Sequence, residues 1–334
     1  MHNKLEVRIF GPRRSGNHAI INWLAYQAPA KITFFNCASN RGHDPYKTGK
    51  NRGDRYTQDL QDCFHQIPKL KHVEPKMLKS WRERDKDLLM YSYEDIFFDK
   101  YVLPHKGDFP LDRENIIGTS EARVDIIILR DVYNWLASKL KFNSKKKKPI
   151  DVSIIARRYK RNRDNRLKMP YFDTYPGWQK DGRKLMGRVY INIRKMMNVW
   201  KSHIHAKQDP EKYGLHNVVF INYNKWATNY EYRKDLINNE LSPYGFEFTD
   251  KGKDQIAVRG GGSTFDGLGG GEITDANRLD VLNRWKHFAE NKLYERIFEF
   301  YPDAVQMNQD LFGPVRSYIN LVQSEENEPN LTLL

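Results

Sequence analysis

Arg13, Arg14 and Ser15, set between Gly11-Pro12 and Gly16-Asn17-His18, make a basic turn flanked by glycine, a composition suited to holding an anion. Guanidinium forks match the oxygens of phosphate or sulfate, and glycine lets a backbone bend closely around a charged group. Apolar Val7, Ile9 and Phe10 precede the turn, and an amphipathic run from Ala19 to about Ala25 follows it. The expected local structure is therefore strand, tight turn, helix. That order aims the unpaired N–H groups of the first helical turn, and the positive end of the helix dipole, at one point. The residues nearly spell the nucleotide loop G-x-x-x-x-G-K-[ST]. Asn17, however, stands where the lysine belongs, and His18 replaces the hydroxyl that would hold magnesium. The turn thus points to a ligand other than a magnesium nucleotide.

A second turn of the same kind lies further along. Val124-Asp125-Ile126-Ile127-Ile128-Leu129 reads as a buried strand, Arg130-Asp131 follows at once, and a helix continues through Val132 to Lys139. Arg130 then stands at the strand's carboxyl end and Ser138 two helical turns on. A phosphate lying across that helix would take a bidentate bond from the arginine and a hydroxyl bond from the serine.

Together the two turns resemble those of the sulfotransferases that use 3′-phosphoadenosine 5′-phosphosulfate (PAPS). In that family a strand–K-S-G-T-T–helix loop grips the 5′-phosphosulfate. A strand–R-[DN]-P-x-x-x-x-x-S–helix holds the 3′-phosphate. Arg14-Ser15-Gly16 overlays the K-S-G, and Arg130 and Ser138 have the spacing of the second motif. Val258-Arg259-Gly260-Gly261 looks like a degenerate copy of the family's late R-K-G loop. The run Val218 to Lys225 (VVFINYNK) is similar to its apolar-strand–Y-E-D-L turn, and Arg284-Trp285-Lys286 to a recurring W-K segment. Order and spacing match over most of the chain, although each motif is short. The sequence departs from the pattern at Arg14 for lysine, Val132 for proline, Gly260 for lysine, and Ala19 where cytosolic members carry an adenine-stacking aromatic.

The resemblance implies PAPS as co-substrate, adenosine 3′,5′-bisphosphate as product, and no metal. Sulfuryl transfer is an in-line displacement that needs charge stabilisation on the leaving oxygen and a base for the acceptor hydroxyl. It implies Arg14 as the charge stabiliser, with Arg13 beside it and Ser15, Gly16, Asn17 and His18 contributing backbone N–H groups. Arg130, Ser138, Arg259 and Gly260 would hold the 3′-phosphate. The base would end a strand between the two phosphate motifs. Glu94, closing Leu88–Tyr93, is the first candidate, with Asp95 and His43 behind it. Glu94 reads equally well as a cap on a helix after that strand. His203 and His205, two apart on a helix, point to different sides and do not suggest a metal pair.

The elements that must position these residues follow from the apolar pattern. Val7–Phe10, Lys31–Asn36, Leu88–Tyr93, Val124–Leu129 and Val218–Asn222 are short apolar runs of the kind buried in a parallel sheet. Helices are expected over Gly187–His205 and, behind a cap at Thr274 or Asp275, over Ala276–Phe300. The fold class is therefore α/β, three-layered around a mainly parallel sheet, with both turns at the strands' carboxyl ends. A single sulfotransferase-like domain over 1–334 is expected, with loop insertions near 39–56, 142–184 and 259–271.

With 334 residues, two cysteines and a net charge of +14, the chain suits a soluble protein of a reducing, cytoplasmic compartment that meets anionic partners. Met1–Lys4 runs straight into a strand, so no signal peptide is expected, and no apolar stretch is long enough to predict membrane insertion. Much of the positive charge lies between Lys139 and Lys184. Such a run is most often a solvated face; as a working surface it would steer an acidic substrate or bind nucleic acid. Tyr171, Phe172, Tyr175 and Trp178 suit stacking on sugar rings as well as loop anchoring, which tilts the expected hydroxyl acceptor towards a glycan. The competing readings are a P-loop kinase of a small molecule, with Asp125 or Asp131 as magnesium ligand, a nucleic-acid-binding protein, and a sulfotransferase fold kept as a binding module.

Overall fold

The computed structural model describes residues 2–28, 31–38, 45–48, 51–55, 79, 83–100, 116–145, 182–255, 281–289 and 292–315. Six strands form one sheet: β1 (His2–Gly11), β2 (Ile32–Ala38), β3 (Asn51–Arg55), β4 (Lys86–Glu94), β5 (Thr119–Leu129) and β6 (Val218–Asn222). Their order is β3-β2-β4-β1-β5-β6. The five strands from β2 to β6 in that order pair in parallel, and only β3, on the outer edge of β2, runs antiparallel.

The strands are apolar on both faces because both are covered. Val7, Ile9, Val124, Ile126 and Ile128 meet Ile20, Trp23 and Leu24 of helix α1 (Asn17–Gln27). Phe10, Tyr91, Tyr93, Ile127 and Leu129 face the other way. There they meet Trp135 and Leu136 of α3 (Val132–Lys145) and Met197, Trp200 and Ile204 of α4 (Gly182–Gln208). Further α-helices among the described residues are α2 (Pro45–Thr48), α5 (Tyr223–Thr228), α6 (Tyr230–Asp235), α7 (Lys292–Phe300) and α8 (Pro302–Phe312). The free edge of β6 is closed by the Tyr232 hydroxyl, which accepts from the Asn222 N–H (3.0 Å) and donates to the Phe220 carbonyl (3.3 Å).

Register in the sheet centre is pinned by buried polar pairs. Arg8 of β1 lies opposite Asp125 of β5 and ion-pairs with it, both side chains fully buried. Arg8 also reaches the Gly214 carbonyl (3.0 Å), and the His216 N–H donates to Asp125 (2.7 Å). Glu6 accepts from Tyr91 of β4 (2.6 Å) and Ser120 of β5 (2.8 Å). A one-residue slip of either neighbour would break these bonds and turn each strand's apolar set over.

Most expected elements are present and somewhat longer than their apolar cores. The exception is the continuous helix over Ala276–Phe300. Within the described residues it is replaced by a 3₁₀ turn, Arg284–Phe288, followed by α7. Trp285 is buried, its N–H donates to Asn134 Oδ1 (3.3 Å), and Arg284 reaches Ser138, so tertiary bonds override the helical periodicity. The expected 39–56 loop contains α2 and edge strand β3, and the 142–184 loop is shortened by α3 and α4 at its ends. Residues 146–181 and 259–271, with Arg259, Gly260 and the aromatics at 171–178, lie outside the described residues, as does His43. Among the described residues no helix is long and apolar enough to cross a membrane.

His203 gives the fold a defined acid sensitivity. It is buried in α4, its Nδ1 bonds to the Val199 carbonyl (2.7 Å), and its ring stands edge-on to Phe98. Burial pushes its pKa down to about 4. The unfolded chain then binds a proton that the folded chain refuses. The stability present above the ordinary histidine pKa is lost as pH falls towards 4, on the order of 3 kcal/mol. In urea titrations from pH 7 to pH 4, His203→Gln is expected to lose less stability than wild type; equal losses would contradict the assignment.

Candidate functional site

Strands β1, β4, β5 and β6 end at Gly11, Glu94, Leu129 and Asn222 on one edge of the sheet. From β1 the chain moves to β2 and back to β4 on one side, then crosses to β5 and β6 on the other. The crevice at such a reversal is where open parallel sheets bind ligands, and both basic turns open there.

In the first turn, the Ser15 N–H closes on the Pro12 carbonyl (3.1 Å), and α1 starts behind Gly16. Arg14 (φ 76°) and Gly16 (φ 90°) both take the left-handed conformation. Gly16 needs to be glycine for a second reason: a Cβ there would lie 2.0 Å from Cε2 of Tyr223. The Asn17 side chain folds back under the turn, its Nδ2 donating to the carbonyls of Gly11 (3.2 Å) and Pro12 (3.3 Å). A Cβ on Gly11 would meet Asn17 Oδ1 at 2.3 Å. Asn17 is thus a brace within the turn. The Ala19 and Ile20 N–H groups close on the Gly16 carbonyl (3.0 and 3.1 Å), and the positive end of the α1 dipole lies at this turn. Ser15 is fully buried, and its Oγ has no hydrogen-bond partner among the described residues.

In the second turn Asp131 caps α3, accepting from the Asn134 N–H (2.9 Å) and from Asn134 Nδ2. Arg130 is buried; its carbonyl accepts from Trp200 Nε1 (2.9 Å), and its Nη1 donates to Ser138 Oγ (3.3 Å). A second guanidinium converges on the same hydroxyl, Arg284 Nη1 at 3.0 Å. Ser138 Oγ in turn donates to the Asn134 carbonyl (2.8 Å).

Tyr223 joins the two turns. It starts α5 at the end of β6, packs its ring on Gly16, and lies under the Arg130 guanidinium with 5.2 Å from Cζ to the ring centroid. Arg14 and Arg130 are close enough to repel. Burial, followed by Arg130, lowers the Arg14 pKa, while Glu94 acts in the opposite direction.

The carboxylates expected as bases both pair with Arg13 of the first turn. Glu94 ion-pairs with Arg13 Nε (3.4 Å). Asp95 accepts from the Arg13 N–H (2.8 Å), pairs with Arg13 Nε (3.1 Å), and pairs with Lys139 (3.2 Å). Burial lowers the Lys139 pKa, with Asp95 opposing it. No helix begins at Glu94, so it is not a helix cap. The Arg13 guanidinium is directed at carboxylates, half-exposed, rather than into the turn. His18 is half-buried in the first turn of α1.

The structure therefore brings Arg14, Ser15, Gly16, Asn17, His18, Arg130 and Ser138 to one edge and adds Tyr223, Arg284 and Lys139, to which the sequence assigned no role. The aspartates of the kinase reading are both engaged structurally, Asp125 with Arg8 and Asp131 as helix cap. No family model matches this chain, and no curated protein matches it.

Gly16→Ala should cost both the left-handed backbone, about 1–2 kcal/mol, and the ring overlap. Thermal melts are expected to show a clear loss, only partly restored by adding Tyr223→Ala, which frees space without relieving φ. A Gly16→Ala protein melting like wild type would contradict the geometry.

Proposed function

We propose that the protein is a PAPS-dependent sulfotransferase acting on a hydroxyl acceptor, with a carbohydrate as the favoured class. The observation that carries this reading is the convergence of Arg130 and Arg284 on Ser138, joined through Tyr223 to the first turn. Two separate anion positions on one sheet edge suit a ligand with two phosphate ends. The buried Ser15 and the N-terminus of α1 suit the 5′ end, and the Arg130–Ser138–Arg284 cluster suits the 3′ end.

In the reaction, the acceptor oxygen bonds to sulfur while the bond between sulfur and the bridging phosphate oxygen breaks. The acceptor proton passes to a carboxylate, and the charge released on the phosphate falls to Arg14 and the helix N-terminus. Glu94 is the proposed base, since it ends the strand beside Gly11 and lies close enough to Arg14 to act on it electrostatically. Arg259 and Gly260 are proposed to complete the 3′ end on the resemblance alone. The reading needs no metal, and with only two cysteines it fits a cytoplasmic setting.

Thermal-shift titration tests it. Adenosine 3′,5′-bisphosphate at a hundredfold excess over its Kd should stabilise the native state by about 2.7 kcal/mol, and both Arg130→Ala and Ser138→Ala should reduce the shift. Ser138→Ala is the milder change and remains informative if Arg130→Ala does not fold. Stabilisation by magnesium ATP alone would overturn the reading and favour the kinase.

A further inference from the structure

The first turn is held from outside by a group that no step of the proposed transfer uses. Asp95 follows β4 with φ 58°, a conformation rare outside glycine that Asp and Asn tolerate best. Its N–H reaches the Gly11 carbonyl (3.3 Å), and its carboxylate takes both the N–H and the Nε of Arg13. The same carboxylate binds Lys139, whose side chain is 9% exposed and whose ammonium lies 5.6 Å from the Trp135 ring centroid. Trp135 Nε1 meanwhile donates to the Arg13 carbonyl (2.9 Å). Both backbone polar groups of Arg13, the residue just before the left-handed Arg14, are therefore fixed from outside the turn.

We propose that Asp95 is a positioning residue. With Lys139 it clamps the first turn to α3, so that Arg14 and the N-terminus of α1 stay aimed at the 5′ end of a nucleotide and move as one body with the Ser138 cluster. This rests on the nucleotide reading above for the identity of the ligand, while the clamp itself rests on the contacts alone. Asp95 is charge-matched on both sides, by Arg13 and Lys139, and its three contacts leave it the holder of the turn, with proton transfer falling to Glu94. Lys139 owes its near-complete burial to this pair, because an ammonium removed from water needs a close carboxylate.

Asp95→Asn is the clean test. Asparagine keeps the size, tolerates the same φ, and still accepts from the Arg13 N–H, but it removes the charge that binds Arg13 Nε and Lys139. Calorimetric titrations with adenosine 5′-monophosphate and adenosine 3′-monophosphate separate the two ends. Asp95→Asn should weaken the 5′ compound about tenfold, near 1.4 kcal/mol, and leave the 3′ compound within a factor of about two. Lys139→Met should do the same, and the double variant should add little, as for two members of one unit.

Hydrogen exchange provides a readout without ligand. Residues 11–18 should exchange faster in Asp95→Asn while β5 is unchanged. Equal weakening of both monophosphates, or unchanged exchange over 11–18, would overturn the clamp. If wild type binds neither monophosphate, the nucleotide reading fails, and the exchange measurement still decides the clamp by itself.

Discussion

Helix α3 is anchored at its first turn, and that anchoring sets the geometry of both basic turns. Asp131 caps it, Asn308 Oδ1 accepts the Val132 N–H (2.7 Å), and Trp200 of α4 holds the Arg130 carbonyl. From that start, residues one turn apart project along two adjacent rows. Asn134 and Ser138 serve the second turn, through Trp285, Arg284 and Arg130. Trp135 and Lys139 serve the first, through Arg13 and Asp95. One rigid helix thus fixes the separation of two positive sites lying on different strands. On the proposed reading, a ligand with two anionic ends would meet clusters already held in place, and little binding energy would go into ordering them.

The electrostatics of this edge centre on Arg14. Burial is the main cost to the Arg14 charge, and repulsion from Arg130 adds a smaller one. Glu94 offsets part of it, while Arg13 and Lys139 are balanced locally by Glu94 and Asp95. Charges so placed act through a medium less screening than water and are worth more there to a bound anion. Tyr223 separates the two turns with an aromatic face rather than a carboxylate, so it shields Arg130 without neutralising it.

The sheet was legible in the sequence because its strands are short apolar runs covered on both faces, a pattern that backbone burial alone dictates. The turn residues Gly11, Gly16, Arg130 and Ser138 were legible through spacing, which the chain reports directly. Arg284 was hidden because its helical periodicity belonged to a helix that tertiary bonds from Asn134 and Ser138 replace with a 3₁₀ turn. Tyr223 was hidden because packing of a ring against a glycine leaves no periodic mark, and Lys139 because a lysine beside a basic run looks like solvated surface until its burial is known. Asp95 could be seen only as a carboxylate near a strand end; its three contacts come from Arg13, in the turn after β1, and from α3, far away in the chain.

The central claim is that both turns hold the two ends of one nucleotide. A crystal structure of the protein with adenosine 3′,5′-bisphosphate tests it most directly. The 5′-phosphate is expected at Arg14 and the N-terminus of α1, and the 3′-phosphate within hydrogen-bond distance of Arg130, Ser138 and Arg284. A ligand engaging only one turn, or lying away from the carboxyl edge of the sheet, would contradict it.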